Sequence, residues 1–422
     1  MRADGGKGME CVDEIAQSAE LDHQDALHPE ELARVRAPSK APPTGAMRFA
    51  VVLPHREVFG PDGAGAVAMV VRRLVSAPSR HPALVIGRAF EGEAFPGLDF
   101  LPVQVPGWLP LNPTQGYALA VSRAIDELPP GPIEVHNKPD VARWLARSYP
   151  RLPVTLFLHN DPRTMRGARS AWSRLRLLEH LSAVVTVSSF VRDAFLEGLD
   201  PPARRVPLVI HNFVDAAALP PPLPAEQREA LILFAGRVVP EKAPDAFVAA
   251  CARALPQLPG WRAVVVGADG FSPNSPETVF TRRLRPLAAS AGVELAGYRP
   301  HEEVLQMMAR VAIVVVPSRW QEPFGLTALE AMASGAALVC SRRGGLKEVA
   351  GDACLPFDPD DAEQGAAALV RLARDHALRA ALSRAGLQRA AAHFGAEEAT
   401  ARLDRLRDRL LAAWTPSRRG KR

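Results

Sequence analysis

Residues 311–348 read VAIVVVPSRWQEPFGLTALEAMASGAALVCSRRGGLKE. Val311 to Val316 is an unbroken apolar, largely β-branched run, the pattern of a parallel strand buried on both faces. Pro317 ends it, because proline cannot donate to a ladder. Glu322 then falls in a loop with Pro323, Phe324, Gly325 and Leu326, and Thr327 opens a helical pattern that closes at Gly335. Strand, loop and helix start in this order predict the ligand-binding edge of a parallel sheet. The free N–H groups at such a helix start favour an anion, a diphosphate above all.

Glu322 and Glu330 are eight residues apart. On one continuous helix they would stand about 12 Å apart on different faces, so they are no acid–base pair of a single helix. With Glu322 in the loop and Glu330 in the first turn, they instead reach two ends of one ligand. Thr327 and Glu330 also have the T-x-x-E spacing of a capping box, which needs no ligand. The local sequence leaves both readings open.

Outward from this stretch the chain alternates strands and helices in both halves. MRFAVVLP, ALVIGR, PIEVHNK, PVTLFLHND, AVVTVSS and VPLVIHNFVD are the strands expected before the Pro-rich segment around 220–224, and ALILFAGR, WRAVVVG and GVELAG follow it. The expectation is an α/β protein of two Rossmann-like parallel-sheet domains facing each other across a cleft. The boundaries are an N-terminal extension over 1–46, a first domain over 47–215, a Pro-rich linker over 216–229 and a second domain over 230–395. A helix over 396–414 and a basic tail over 415–422 complete the chain. Residues 1–46 carry nine acidic and five basic side chains and no strand pattern, the composition of a disordered segment.

At 422 residues, with 47% hydrophobic and 23% charged residues, the chain has core material for two domains. No apolar run is long enough to span a membrane. The four cysteines, Cys11, Cys251, Cys340 and Cys354, lack metal-site spacing and read as reduced residues of a cytoplasmic protein. The net charge of +5 fits a phosphate-bearing partner. Nucleic acid is excluded as a partner, because the cations are not clustered into a groove and three tyrosines offer few stacking platforms.

Several strand ends carry chemistry. His136-Asn137 and His159-Asn160 each stand where a buried strand stops, and no metal-ligand spacing accompanies them, so no metal is expected. Arg237 and Lys242 follow the strand that ends at Gly236; they are either a phosphate-binding pair on the edge that carries Glu322 or two surface cations. Gly63, Gly65 and Ala68 give G-x-G-x-x-A, but nearly ten residues separate it from Pro54, too many for a dinucleotide fold. A turn with close backbone packing is the alternative. Arg163, Arg166, Arg169, Arg174 and Arg176 are interleaved with Met165, Trp172, Leu175 and Leu178. This is either a basic face for an anionic membrane surface or lipid, or a solvated arginine face of an ordinary helix.

EPFGLTALE, followed by GGLKE, resembles the E-x7-E signature of retaining glycosyltransferases of family 4, whose members have the GT-B fold and use nucleotide-sugar donors without a further cofactor. The resemblance places Glu322 at hydroxyls of the donor sugar and Glu330 at the ribose. It brings the backbone of Phe324, Gly325, Leu326 and Thr327 to the sugar and diphosphate, and makes Arg237 and Lys242 the phosphate pair. Ala243 departs from it, since a glycine is usual there. His159 matches the family's cleft histidine, Gly65 its glycine-rich loop, and Tyr298 and Arg299 the border of the base. His136, Asn137, Asn160, Arg163 and Arg166 fall on the acceptor side, and the last helix is expected to cross back to the first domain.

HNDP and the basic stretch resemble bacterial glycosyltransferases of cell-surface polysaccharide or lipopolysaccharide synthesis. The expected partners are therefore a nucleotide sugar and a glycan or lipid-linked acceptor, with the protein on the inner face of the plasma membrane. The rival readings are a nucleotide-sugar epimerase of GT-B type and a noncatalytic nucleotide-sugar or phospholipid binder.

Overall fold

A computed structural model describes residues 47–105, 112–200, 205–270, 272 and 274–414. The expectations for 1–46, for Cys11 and for the tail over 415–422 lie outside the described residues. Strands β1 (Phe49–Val52), β2 (Ala83–Arg88), β3 (Phe100–Val103), β4 (Ile133–His136), β5 (Val154–Leu158), β6 (Ala183–Thr186) and β7 (Leu208–Val209) form a first sheet. Strands β8 (Glu229–Ala235), β9 (Arg262–Val266), β10 (Val293–Gly297), β11 (Val311–Val316), β12 (Ala337–Cys340) and β13 (Cys354–Pro356) form a second. The orders are β3-β2-β1-β4-β5-β6-β7 and β10-β9-β8-β11-β12-β13. Every pairing is parallel, for example Val51 against both Val85 and Glu134, and Val314 against both Leu233 and Leu338. This is the two-domain α/β arrangement expected from the sequence.

Strand order reverses between β1 and β4 in the first sheet and between β8 and β11 in the second. Crevices at the carboxyl ends of the strands open at such reversals. His136 is the last residue of β4, His159 follows β5, Gly236 follows β8, and Ser318 to Glu322 follow β11. The fold thus collects the chemistry-bearing strand ends at two switch points. VAIVVV is buried throughout, as its composition requires. Strand β3 was not anticipated; Pro102 disguises it, and proline is admitted because β3 is an edge strand.

The last helix, Ala396–Ala413, buries Ala399, Leu403, Leu406 and Leu410 against Val70, Leu74, Phe157, Val185, Ile210 and Phe213 of the first half of the chain. Each buried leucine contributes about 1.5–3 kcal/mol, so three of them suffice to hold the helix on that sheet. Arg407 lies among them, 1% exposed, with Nε and Nη2 2.9 and 2.8 Å from the two oxygens of Glu134 on β4. The helix is reached where Val214 donates to the Phe394 carbonyl at 3.1 Å. Outgoing and returning chain therefore run side by side. Among the described residues no helix is long and apolar enough to cross a membrane.

Candidate active site

At the end of β11, Glu322 is buried, and one of its oxygens takes two hydrogen bonds of 2.6 Å, from Lys242 Nζ and from Ser318 Oγ. Ser318 is in turn held by Ser341, whose hydroxyl donates to its carbonyl at 2.8 Å. Gly344 makes the loop possible: a Cβ there would sit 2.4 Å from the Glu322 carbonyl, so the GG of GGLKE lets two backbones pass. Lys242 closes a short 3-10 turn, Pro240–Lys242, that follows Gly236 and the half-buried Arg237. Ala243 comes next with φ 56°, in the left-handed region. The departure from glycine at this position therefore carries backbone strain of about 1–2 kcal/mol.

Glu330 lies in the second turn of the helix Leu326–Ala333, not in the first, and the helix starts on Gly325 without a side-chain cap. No capping box forms. Glu330 turns instead to Arg73, in the last turn of the first-domain helix Ala66–Ser76, and to His301 Nε2 at 3.0 Å. Both contacts fall on Oε1, so Oε2 is the oxygen left to accept from a ligand hydroxyl.

Burial alone would raise the Glu330 carboxyl; the charge of Arg73 and the hydrogen bond from His301 outweigh it and hold the group at about 2, against an ordinary 4.5. A folded value below the unfolded one stabilises above about pH 4.5, and the stabilisation is lost as pH falls toward 2, on the order of 3 kcal/mol in all. Glu330→Gln is accordingly expected to be less stable than the natural chain at about pH 6, with the gap closing toward about pH 3. Urea midpoints of the two proteins across that range check this, and a gap independent of pH would contradict it.

On the opposite wall, Gly65 precedes the helix Ala66–Ser76, and Glu57 accepts from the Ala68 N–H at 3.1 Å. A Cβ on Gly65 would meet Glu57 Oε2 at 2.5 Å, so the glycine is packed closely against that side chain. Burial pushes the Glu57 carboxyl up. His136 Nδ1 and His159 Nε2 stand 2.9 Å apart, and both rings are buried. The side-chain carbonyl of Asn137, itself at φ 56°, accepts from the His159 N–H at 3.1 Å and fixes that turn. Tyr298, half-buried, lies close enough to Asp62 of the glycine-rich loop to feel its charge, so the two walls approach each other there. Arg299 is exposed.

Residues 216–389 match the family described as Glycosyl transferases group 1. A lipopolysaccharide core biosynthesis mannosyltransferase of Rhizobium leguminosarum bv. viciae is 31% identical over 268 residues, 60% of this chain and 70% of that protein. The chain belongs to the group 1 glycosyl transferases. A D-inositol 3-phosphate glycosyltransferase of Nocardioides is 33% identical over 207 residues, 43% of this chain. This group 1 chain spans 44% of the length of that protein and 61% of that of a Bacillus subtilis relative. The crystal structure of Anabaena HepE in complex with UDP-glucose shares the fold at a TM-score of 0.68 and 18% identity, covering 86% of this chain and 99% of that one. The fold is GT-B.

In this group 1 glycosyl transferase the arginines expected on the acceptor side are engaged within the chain. Arg163 pairs with Asp161 at 2.6 Å and with Glu197, and Arg166 stands 3.9 Å from Asp140. Arg174 fits neither reading of the basic stretch: it is buried and donates to the carbonyls of Phe195, Ala168 and Arg169 at 2.7, 3.2 and 2.9 Å. Trp172 is exposed, and Asn160 is half-buried. The Phe324 side chain packs edge-on to Phe394 at 5.6 Å, which leaves only its backbone for the loop. Leu326 and Thr327 are half-buried at the helix start. Asp360 binds Arg343 at 2.8 Å on the surface, and Asp361 caps the next helix.

Sequence reasoning missed Arg73, His301 and the clasp between the domains. In that clasp, Ser188 Oγ donates to the Pro323 carbonyl at 2.5 Å, and Glu348 accepts from the Ser189 N–H at 2.8 Å and pairs with His211 at 2.7 Å. His301, opening a helix three residues after Tyr298, carried a readable signal. Arg73 carried none, because only packing between the domains brings it to Glu330.

Proposed function

We propose that this chain is a retaining, metal-independent hexosyltransferase of family 4, moving a sugar from a nucleotide-sugar donor to a hydroxyl of a glycan or lipid-linked acceptor. One observation carries the reading: Lys242 and Ser318 converge on Glu322 at the switch point of the second sheet, with Glu330 held on the same edge. Residues 230–395 take the donor and residues 47–215 the acceptor. Glu322 and His159 orient the sugar, and Oε2 of Glu330 accepts from the ribose.

The bond from the anomeric carbon to the diphosphate breaks, the acceptor oxygen bonds to that carbon on the same face, and the acceptor's proton passes to the departing phosphate oxygen. Lys242, Arg237 and the N–H groups before Thr327 stabilise the charge that grows on the diphosphate. The Rhizobium relative, named for lipopolysaccharide core biosynthesis, and HepE, solved with UDP-glucose, support a cell-surface product and a nucleotide-sugar donor. A lipid-linked acceptor would bring the protein to the anionic inner face of the plasma membrane.

Thermal shift with UDP, GDP, ADP and their sugars, with magnesium or with EDTA, tests this. Ligand at about 100 times its dissociation constant stabilises the native state by about 2.7 kcal/mol. A shift with one nucleotide family that is unchanged by EDTA is expected. A shift with none of them would refute the reading, and a shift that required magnesium would refute its metal independence.

A further inference from the structure

We propose that His136 is a positioning residue for His159, and that Arg407 of the last helix selects the single proton arrangement in which the two imidazoles are held. The inference rests on the transferase reading only through the role given to His159.

His136 follows Glu134 by two residues on β4, so both side chains project from one face of the sheet. Arg407 lies on that face. It grips both oxygens of Glu134, its guanidinium carbon sits 4.8 Å from the centre of the Phe49 ring, and its charge reaches His136. Phe157 stacks on His136 with ring centres 4.7 Å apart and planes 12° apart, and His159 lies beside it at 5.2 Å and 19°. The charge that bears on the pair is that of Arg407, and it acts at the His136 end.

Burial keeps both rings neutral: His159 is pulled down to about 4, and His136 falls well below the ordinary range under burial, its neighbour and Arg407. A neutral pair holds two protons on four ring nitrogens. One proton lies in the 2.9 Å bond between Nδ1 of His136 and Nε2 of His159. The other sits on an outer nitrogen, either Nε2 of His136 or Nδ1 of His159, and both of these are buried without a hydrogen-bond partner among the described residues.

A cation beside His136 disfavours an N–H turned its way and favours a lone pair, and Nε2 is the one nitrogen of His136 not engaged by His159. His136 therefore carries its proton on Nδ1 and donates it to Nε2 of His159, which leaves His159 with Nδ1–H. The cleft histidine is thereby fixed as a hydrogen-bond donor, the polarity suited to a sugar oxygen. The alternative arrangement would make it an acceptor. A buried donor without a partner is costly, so a ligand oxygen would gain from meeting Nδ1–H once a small shift uncovers that buried atom.

The test is a long-range proton–nitrogen correlation spectrum of the full chain labelled with 15N-histidine. Both His136 and His159 are expected to show a protonated Nδ1 and a bare Nε2; Nε2–H on either would overturn the proposal. In the Glu134→Gln/Arg407→Met chain, which removes both charges together, the opposite arrangement is expected to appear. An unchanged pattern would remove Arg407 from the account, and should that chain fail to fold, the natural chain's spectrum still decides.

In the transfer assay, His136→Phe is expected to lower kcat roughly tenfold or more, the value of one oriented hydrogen bond, with KM for the donor held within about twofold. His136→Asn, whose amide can donate from the place of Nδ1, restores most of it. Equal activity of the Phe variant and the natural chain, or no rescue by Asn, would overturn the positioning role. If the natural chain turned over no nucleotide sugar at all, the transferase reading would fall, and the spectra would still judge the proton arrangement.

Discussion

Glu322→Gln is expected to lower turnover by at least about a hundredfold, the scale set by removal of one preorganised electrostatic group, while nucleotide affinity persists. The reason lies in the shared oxygen. Lys242 and Ser318 both donate to it at 2.6 Å, so the carboxylate neutralises the ammonium and sets its direction at once. An amide offers a weaker acceptor and can turn an N–H toward the lysine, which releases Lys242 from the place where the proposed mechanism has it meet the leaving diphosphate. Lys242→Met is expected to cost about the same, some 2.7–4 kcal/mol of barrier. The double variant should lose little more than either single one, because the two groups act as a unit. Single-turnover kinetics on the four proteins close the cycle. Normal turnover in Glu322→Gln, or strictly additive losses, would remove the pair from the chemistry.

Arg407→Met is expected to destabilise the protein by about 3–5 kcal/mol, because it strands Glu134 as a buried carboxylate without its counter-charge. Glu134 is 2% exposed, and Arg407 donates to both of its oxygens. Arg407 also donates to Ser79 at 3.1 Å, and Ser79 binds Asp404 at 2.6 Å, so the loss spreads along the helix. Glu134→Leu combined with Arg407→Met should recover most of the stability, since an apolar replacement of a buried pair is often neutral. Urea unfolding of the single and double variants measures both effects. A single variant within about 0.5 kcal/mol of the natural chain, the range of an ordinary surface substitution, would show that the pair is solvated.

The strands were legible wherever burial on both faces wrote itself into an apolar run, as in VAIVVV and FAVV. The strand ends were legible because proline, glycine and His-Asn pairs interrupt those runs. Long-range partners were not. Glu330 is bound by residues 257 and 29 positions away, and a local motif, T-x-x-E, offered a cheaper explanation that the backbone then declined. The two histidines were placed at one sheet edge by the sequence, but their contact depends on β4 and β5 being neighbours with His136 opposite Phe157. Arg174 was read as a surface cation because neighbouring arginines are; the carbonyls it gathers belong to turns whose geometry no periodicity reports.

The link between Glu134 and Arg407 also imposes an order on biosynthesis. The two residues are 273 positions apart, an interval that a ribosome adding about 5–20 residues per second takes roughly 15–55 s to cover. During that time the first sheet exists without the cation that neutralises its buried carboxylate and without the leucines that cover Val70, Leu74 and Phe157. The amino-terminal half is therefore the last part of this protein to be finished. A nascent chain truncated before Arg407 would present a sticky, incompletely charged surface to chaperones and proteases, whatever the state of the domain that follows it.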